Sequence, residues 1–338
     1  MTCRSVFLCL TALCLATLAG AATPTATKPP TGKDERHTDA AGREYFFYLP
    51  RQIDTNKTYW LVVGVHGAGG NGRGAGGFSG WTALGNCIVV GPSFPEGYQG
   101  LDNATDTQLI NLAEQLGKTY KLHSRIFVTG FSGGSQFAHR FALQHPDNVI
   151  GCAAHSGGTW AGLMQGDVVL SEKAAAQVPF AISCGQQDTG KAFEGANLPR
   201  IEWAHSFEAS LKQQNFLYKA QYWPGTGHAL TPGAIQLSEE CYWLSITGLM
   251  PAERKQLDQL FAGIETYSRF PVEGKRRAKL IPAEFAKIRA KPAMPTATRP
   301  ATTTAPSWSA TAVMRAELNK RTEEYIAERC ADYSRNLH

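Results

Sequence analysis

Apolar and polar positions along the chain fall into two alternating rhythms. Short, nearly continuous apolar runs occur at Glu44–Leu49, Tyr59–Val65, Cys87–Val90, Arg125–Thr129, Val149–Ala154, Pro179–Ser183 and Tyr218–Trp223. Runs of that length with little alternation predict strands buried on both faces. Between them, Thr107–Tyr120, Ser135–His145, Arg200–Asn215 and Ala234–Leu244 carry apolar residues at i, i+3, i+4 spacing, which is helical. Asp258–Tyr267 predicts one more helix. Strand then helix, repeated, predicts an α/β fold: a mostly parallel sheet with helices on both faces. Right-handed crossovers in such a sheet bring functional loops to the carboxyl ends of the strands.

The pattern changes at both ends. Arg4 precedes the apolar run Val6–Leu18, and Ala19-Gly20-Ala21 supplies the small residues of a cleavage site. Residues 1–21 are therefore expected to be a secretory signal, and the protein to be secreted or periplasmic. That run is too short to span a bilayer comfortably, and no other run reaches transmembrane length. A Thr/Pro-rich leader is expected over 22–42 and the main domain over 43–268. Residues 269–310 read as a linker, basic over Lys275–Lys291 and Pro/Ala/Thr-rich over Pro292–Pro306, and 311–338 as a C-terminal helix.

Charge sharpens that division. The 338 residues carry a formal net charge of +5, which alone invites a polyanionic partner. Residues 269–338 hold 14 Lys/Arg and 7 Asp/Glu, whereas residues 1–268 hold 19 and 21. The basic excess belongs to the tail, so no nucleic-acid partner is expected; contact of the tail with the cell envelope is. Of eight cysteines, Cys3, Cys9 and Cys14 lie in the signal. Cys87, Cys152, Cys184, Cys241 and Cys330 remain, an odd number, so at least one thiol is free or pairs between chains. Their wide spacing fits no metal knuckle, and no metal site is expected.

One motif carries chemistry. Gly130-Phe131-Ser132-Gly133-Gly134 matches G-x-S-x-G, follows the strand Ile126–Thr129 and precedes the helix Ser135–His145. Strand, sharp turn and helix form the setting of a nucleophile elbow. Small neighbours allow the tight turn, and the helix N-terminus offers backbone N–H groups to a developing oxyanion. A serine needs a base. His228 follows the strand Tyr218–Trp223 through Pro224-Gly225-Thr226-Gly227, whereas His205 lies within a helical pattern and His338 is the last residue. The acid that orients the base should follow a strand between them. Asp188 does so; its rivals Asp167 and Glu194 do not. His66-Gly67-Ala68-Gly69-Gly70 follows the strand Tyr59–Val65, the place of an oxyanion loop, so the expected donors are the N–H groups of Gly133 and Ala68, with Gly69 as alternative. Gly67-x-Gly69-x-x-Gly72 also matches a dinucleotide fingerprint by letter. The glycines after it break any helix, and Val89–Pro92 stand where an acid is needed. The nine glycines from Gly64 to Gly80 read instead as a flexible rim.

With these residues in this order, the chain resembles the α/β-hydrolase superfamily. More narrowly, it resembles secreted esterases of the polyhydroxybutyrate depolymerase and feruloyl esterase type. The resemblance covers roughly residues 43–250. It is carried by Tyr45–Pro50, His66–Gly70, Gly91-Pro92-Ser93-Phe94-Pro95, Gly130–Gly134, Gly185-Gln186-Gln187-Asp188 and Gly225-Thr226-Gly227-His228. It implies cofactor-free hydrolysis of carboxylic esters through an acyl-enzyme, on polyesters, feruloylated polysaccharides or small esters. The tail from Lys275 lies outside the family pattern. His155-Ser156-Gly157-Gly158-Thr159-Trp160 closes the strand after the elbow helix, so His155 and Trp160 are expected to line the substrate site, with Trp81 and Phe94 as weaker candidates. Alternatives are a peptidase or acyltransferase with the same triad, or an envelope-attached binding protein with an incidental hydrolase body.

Overall fold

A computed structural model of the protein describes residues 35–101, 104–158, 170–191, 198–266, 269–290, 308 and 311–337. The expected signal, most of the leader, Asp167, Glu194, Trp160 and the whole of Pro292–Pro306 lie outside the described residues. In chain order the elements are β1 (Glu35–Thr38), β2 (Glu44–Tyr48), β3 (Tyr59–Val65), β4 (Cys87–Pro92), α1 (Thr105–Gly117), β5 (Leu122–Phe131), α2 (Gly133–Gln144), β6 (Val149–His155) and α3 (Glu172–Gln177). They continue with β7 (Phe180–Gly185), α4 (Arg200–Gln213), β8 (Tyr218–Trp223), α5 (Pro232–Thr247), α6 (Pro251–Glu265), α7 (Pro271–Ala278), α8 (Ile281–Ala290) and α9 (Ala312–Arg335).

The strands form one sheet in the order β1-β2-β4-β3-β5-β6-β7-β8. From β4 to β8 every pairing is parallel, and β1 and β2 add an antiparallel hairpin at one edge. The continuous apolar runs have the expected cause, because the sheet is covered twice. On one face Val63, Val128, Cys152 and Ile182 pack with Leu109 and Leu112 of α1, Phe137 and Phe141 of α2, and Trp203 and Phe207 of α4. On the other, Val62, Val89, Phe127 and Ala153 pack with Phe78, Trp81 and Leu237, Cys241 and Tyr242 of α5. β1 escaped the sequence reading because Glu35-Arg36-His37-Thr38 has no apolar run; it pairs at the sheet edge through its backbone, an Arg36–Glu44 ion pair and the His37 ring stacked on Tyr45.

The glycine-rich stretch differs from its expectation. Residues Gly72–Leu84 form a run of 3-10 turns that buries Ala75, Phe78 and Trp81, with Gly85 in a left-handed conformation at its end. Gly72 and Gly91 are pressed together: a Cβ on either would stand 1.9 Å from the other's carbonyl oxygen. These glycines permit close packing of backbone on backbone rather than a flexible rim. Trp81 packs against Phe127 and Tyr242, and Phe94 against Phe137. Both serve the core, contrary to their expected place as weaker candidates for lining the substrate site.

The C-terminal region also differs. Part of the expected linker forms α7 and α8, whose Ala278, Ile281 and Phe285 pack with Leu257 and Phe261 of α6 and Ile326 of α9. α9 lies across the amino ends of the strands. Arg321 is 3% exposed and donates from Nη1 to the carbonyls of Ile150 (3.2 Å) and Ser245 (2.9 Å), and from Nη2 to that of Gln177 (2.6 Å). Its Nε meets Glu317 at 2.9 Å, and Glu317 also binds Arg125 at the start of β5. The five cysteines among the described residues are free thiols, four of them buried.

Candidate active site

Strand register assembles the site. Val65 pairs with Gly130, Phe131 with His155, and Gly185 with Trp223, so the loops after β3, β5, β6, β7 and β8 leave the sheet at one edge. Between β5 and α2 stands Ser132, with φ +56° and ψ −121°. That conformation is strained for any residue with a Cβ, and surrounding bonds hold it. Ser132 N donates to the His155 carbonyl at 2.9 Å, and its own carbonyl accepts from Ser135 N at 3.0 Å. The flanking glycines are required by space. A Cβ on Gly130 would stand 2.3 Å from the Gly134 carbonyl, and one on Gly134 would stand 2.1 Å from that of Val65.

The Ser132 hydroxyl lies 3.0 Å from His228 Nε2, and His228 Nδ1 lies 2.8 Å from Asp188 Oδ2. A carboxylate only accepts, so Nδ1 carries the proton and Nε2 accepts from the serine. Asp188 is 2% exposed. It turns back through a bond from its N–H to the Gly185 carbonyl, 3.0 Å, and its carbonyl accepts from Ile201 N at 3.1 Å. Two further bonds, Gln186 N to Trp223 O at 3.0 Å and Gln187 N to Thr226 O at 2.8 Å, lash its loop to the one carrying His228. A Cβ on Gly185 would stand 2.2 Å from the Thr226 carbonyl, so only glycine lets these two loops close. Three residues dispersed over 97 positions of sequence thus meet in one hydrogen-bonded line.

The His66 loop lies beside the elbow. The point a Cβ on Gly133 would occupy is 2.9 Å from Ala68 N, 3.0 Å from Tyr98 Oη and 3.1 Å from Gln99 Nε2. The imidazole of His66 is 4% exposed and braces this loop. Its Nε2 accepts from Phe94 N at 3.0 Å, and its Nδ1 donates to the Gly67 carbonyl at 2.8 Å. Burial lowers its pKa, in keeping with a neutral ring that accepts on one side and donates on the other. The Tyr98 hydroxyl donates to the His66 carbonyl.

Of the residues expected to line the substrate site, His155 is elsewhere. It ends β6 as expected, but it is 1% exposed, with Nδ1 2.7 Å from Ser183 Oγ and Nε2 2.6 Å from Ser238 Oγ. Successive side chains on a strand point to opposite faces, and this one turns under the sheet edge toward α5. Its backbone carbonyl is what reaches the elbow. Two residues missed by sequence reading stand at the site. Gln99 sits in a loop with no motif. Arg200 Nη1 lies 3.6 Å from Asp188 Oδ1. His66 opens the loop expected to hold the oxyanion, and its ring braces that loop. Among the described residues no cluster of three His, Cys, Asp or Glu side chains could hold a metal, and no helix is long and apolar enough to cross a membrane.

No family model matches the chain. A relative from Aspergillus niger, Probable feruloyl esterase C, is 29% identical over 173 residues, spanning 47% of this chain. The match covers 63% of that relative's own length. Among solved structures, the ferulic acid esterase of Anaeromyces mucronatus without substrate is 17% identical with a TM-score of 0.49, over 65% of this chain and 92% of its own. A fluorophosphonate-binding serine hydrolase of Staphylococcus aureus is 14% identical with a TM-score of 0.48, over 62% of this chain and 96% of its own. Six parallel strands in the order β4-β3-β5-β6-β7-β8, an antiparallel hairpin beside β4 and a strained serine turn after β5 make this chain an α/β-hydrolase fold.

Proposed function

We propose that the protein is an exported carboxylic ester hydrolase that works through a serine acyl-enzyme. The observation that carries the reading is the line Ser132 Oγ–His228 Nε2–His228 Nδ1–Asp188 Oδ2, with steps of 3.0 and 2.8 Å, starting from a serine in a strained turn. Ser132 Oγ attacks the ester carbonyl carbon as its proton passes to His228 Nε2. Asp188 holds the ring in the required tautomer and stabilises the imidazolium. The carbonyl oxygen becomes an oxyanion beside Gly133 N and Ala68 N, with the Gln99 amide as a third donor. Collapse breaks the bond to the alcohol, which leaves with the proton from His228. Water then gives a proton to His228 and attacks the acyl carbon, releasing the acid and restoring Ser132.

The substrate class follows the Aspergillus niger relative, whose name is that of a feruloyl esterase; aromatic acyl esters are the first substrates to try. Export rests on the Met1–Ala21 segment. Replacing Ser132 by Ala should lower hydrolysis of p-nitrophenyl butyrate and methyl ferulate by at least about a thousandfold while circular dichroism is unchanged. Turnover retained in that variant would remove Ser132 as the nucleophile.

A further inference from the structure

The region around α7 presents a surface unlike the rest of the molecule. Phe270 is 64% exposed, Val272 85% and Leu280 45%; these are three of the five large apolar side chains exposed among the described residues. Within the same twelve positions, Arg269, Lys275, Arg276, Arg277 and Lys279 are exposed as well. Val272, Lys275, Arg276 and Lys279 recur at i, i+3, i+4 and i+7, which puts them on one stripe of the helix. Gly274 and Ala278 are buried and form the inner face. Glu273 is the single acid of the segment, and it is bound by Arg276 at 2.8 Å and Arg277 at 2.7 Å. Among the described residues Arg269, Lys275 and Lys279 have no carboxylate at ion-pair distance, so the stripe is strongly cationic.

We propose that this surface binds an anionic phospholipid bilayer, with Phe270, Val272 and Leu280 entering the headgroup region and Arg269, Lys275 and Lys279 against the phosphates. Cations alone would suit any polyanion. The exposed phenylalanine and valine gain nothing from a hydrated polymer, but they gain the burial of apolar area at a bilayer surface. A second copy of the chain fits badly, because two such faces repel each other.

Position in the fold supports the assignment. α7 packs on α9, whose Cys330 Sγ meets the Ala278 carbonyl at 3.4 Å. α9 in turn crosses the amino ends of the strands, through Arg321 to Ile150 and Glu317 to Arg125. Ser132, Asp188 and His228 stand at the carboxyl ends. A molecule resting on the α7 face therefore keeps its catalytic edge toward water.

The test uses the full-length protein and sedimentation with vesicles of phosphatidylcholine alone or mixed with phosphatidylglycerol. Co-sedimentation with the phosphatidylglycerol vesicles only, reversed by salt, is expected. Each lysine on the bilayer contributes about five-fold in affinity, so Lys275→Ala with Lys279→Ala should weaken binding by about 25-fold. Phe270→Ser with Val272→Ser should also weaken it, while hydrolysis of a soluble ester stays at the parent rate and certifies the fold; unchanged circular dichroism serves the same purpose if the ester is not turned over. Absence of binding to phosphatidylglycerol vesicles, or equal binding to both kinds, would overturn the proposal. So would binding to soluble heparin that competes with vesicles and is indifferent to the Phe270 and Val272 changes, because the partner would then be a hydrated polyanion.

Discussion

Gln99 stands within reach of the elbow although nothing in its neighbourhood of sequence announces chemistry. Its Nε2 is 3.1 Å from the point where a side chain on Gly133 would begin, alongside Ala68 N at 2.9 Å. Its backbone is held by Arg140 Nη1, which donates to the Gln99 carbonyl at 2.8 Å, so the amide projects from an anchored position. A donor aimed at a developing negative charge acts on the transition state rather than on the bound ester. Gln99→Ala should therefore lower kcat about ten- to a hundred-fold with KM nearly unchanged, and Gln99→Glu, which replaces a donor by negative charge, should lower it further. Equal kcat in the parent and both variants, measured on one ester, would exclude the amide from the reaction. At this scale the sequence was legible where chemistry is local or ordered. Ser132 has its motif, and Asp188 and His228 each close a strand in the order the elbow demands. Gln99, Arg200 and the true direction of His155 depend on which face a side chain takes after the strand ends, and no spacing encodes that.

At the scale of elements, α9 is the part whose role composition misrepresents. Its mixed charges announce only a C-terminal helix after a linker, yet Met314 is 0% exposed and Leu318 4%. Gly248, the αL residue that ends α5, shows how close the contact is: a Cβ there would stand 1.9 Å from the Leu318 carbonyl. Arg321 explains the docking chemically. Burial brings its guanidinium down to about 10, still cationic at neutral pH, and three backbone carbonyls and Glu317 satisfy it. Arg321→Met keeps the length of the stem but strips those carbonyls and Glu317 of their partner. The expected loss is about 3 kcal/mol, or about 6 °C in Tm. Thermal unfolding would check this, and an unchanged Tm would mean that α9 rests on the body without supporting it. α7 and α8 were illegible for a related reason. α7 is basic and α8 sets Lys287 and Arg289 against Glu284, and each is held by few apolar anchors, Ala278 in one and Ile281 and Phe285 in the other. Helices that short gain their stability from packing rather than from their own pattern. The sheet strands, by contrast, are buried on both faces and announce themselves by apolar runs alone.

Over the whole molecule, several histidines are buried as neutral rings. Burial lowers His155 to about 3 and His123 to about 4, and it pushes His139 well below its ordinary value. His155 is committed to the neutral form by its partners. Ser238 Oγ donates to the Ala234 carbonyl at 3.1 Å and so accepts from His155 Nε2, leaving Nδ1 to accept from Ser183. Below the ordinary value of 6.5 the unfolded chain takes up protons that the folded chain refuses. Stability is therefore complete above about pH 6.5 and falls as the pH drops toward 3, by up to about 1.4 kcal/mol per pH unit for each such ring. Tm should decline steadily from pH 7 to pH 4, and His155→Gln should flatten the slope by one proton's share; parallel curves for the two proteins would assign the pH dependence to other groups.

The crossing of α9 beneath the sheet also sets a timetable. Every described strand precedes α9 in the sequence, yet the carbonyls of Ile150, Gln177 and Ser245 wait for Arg321 to complete them. A ribosome adding about 5–20 residues per second needs on the order of 5–20 s to pass from the last strand to that arginine. Throughout that interval the growing polypeptide carries a sheet whose amino ends lack the cover that α9 later supplies. Those three carbonyls are satisfied only once α9 arrives, so products cut short before Arg321 should be more open to proteolysis than the parent.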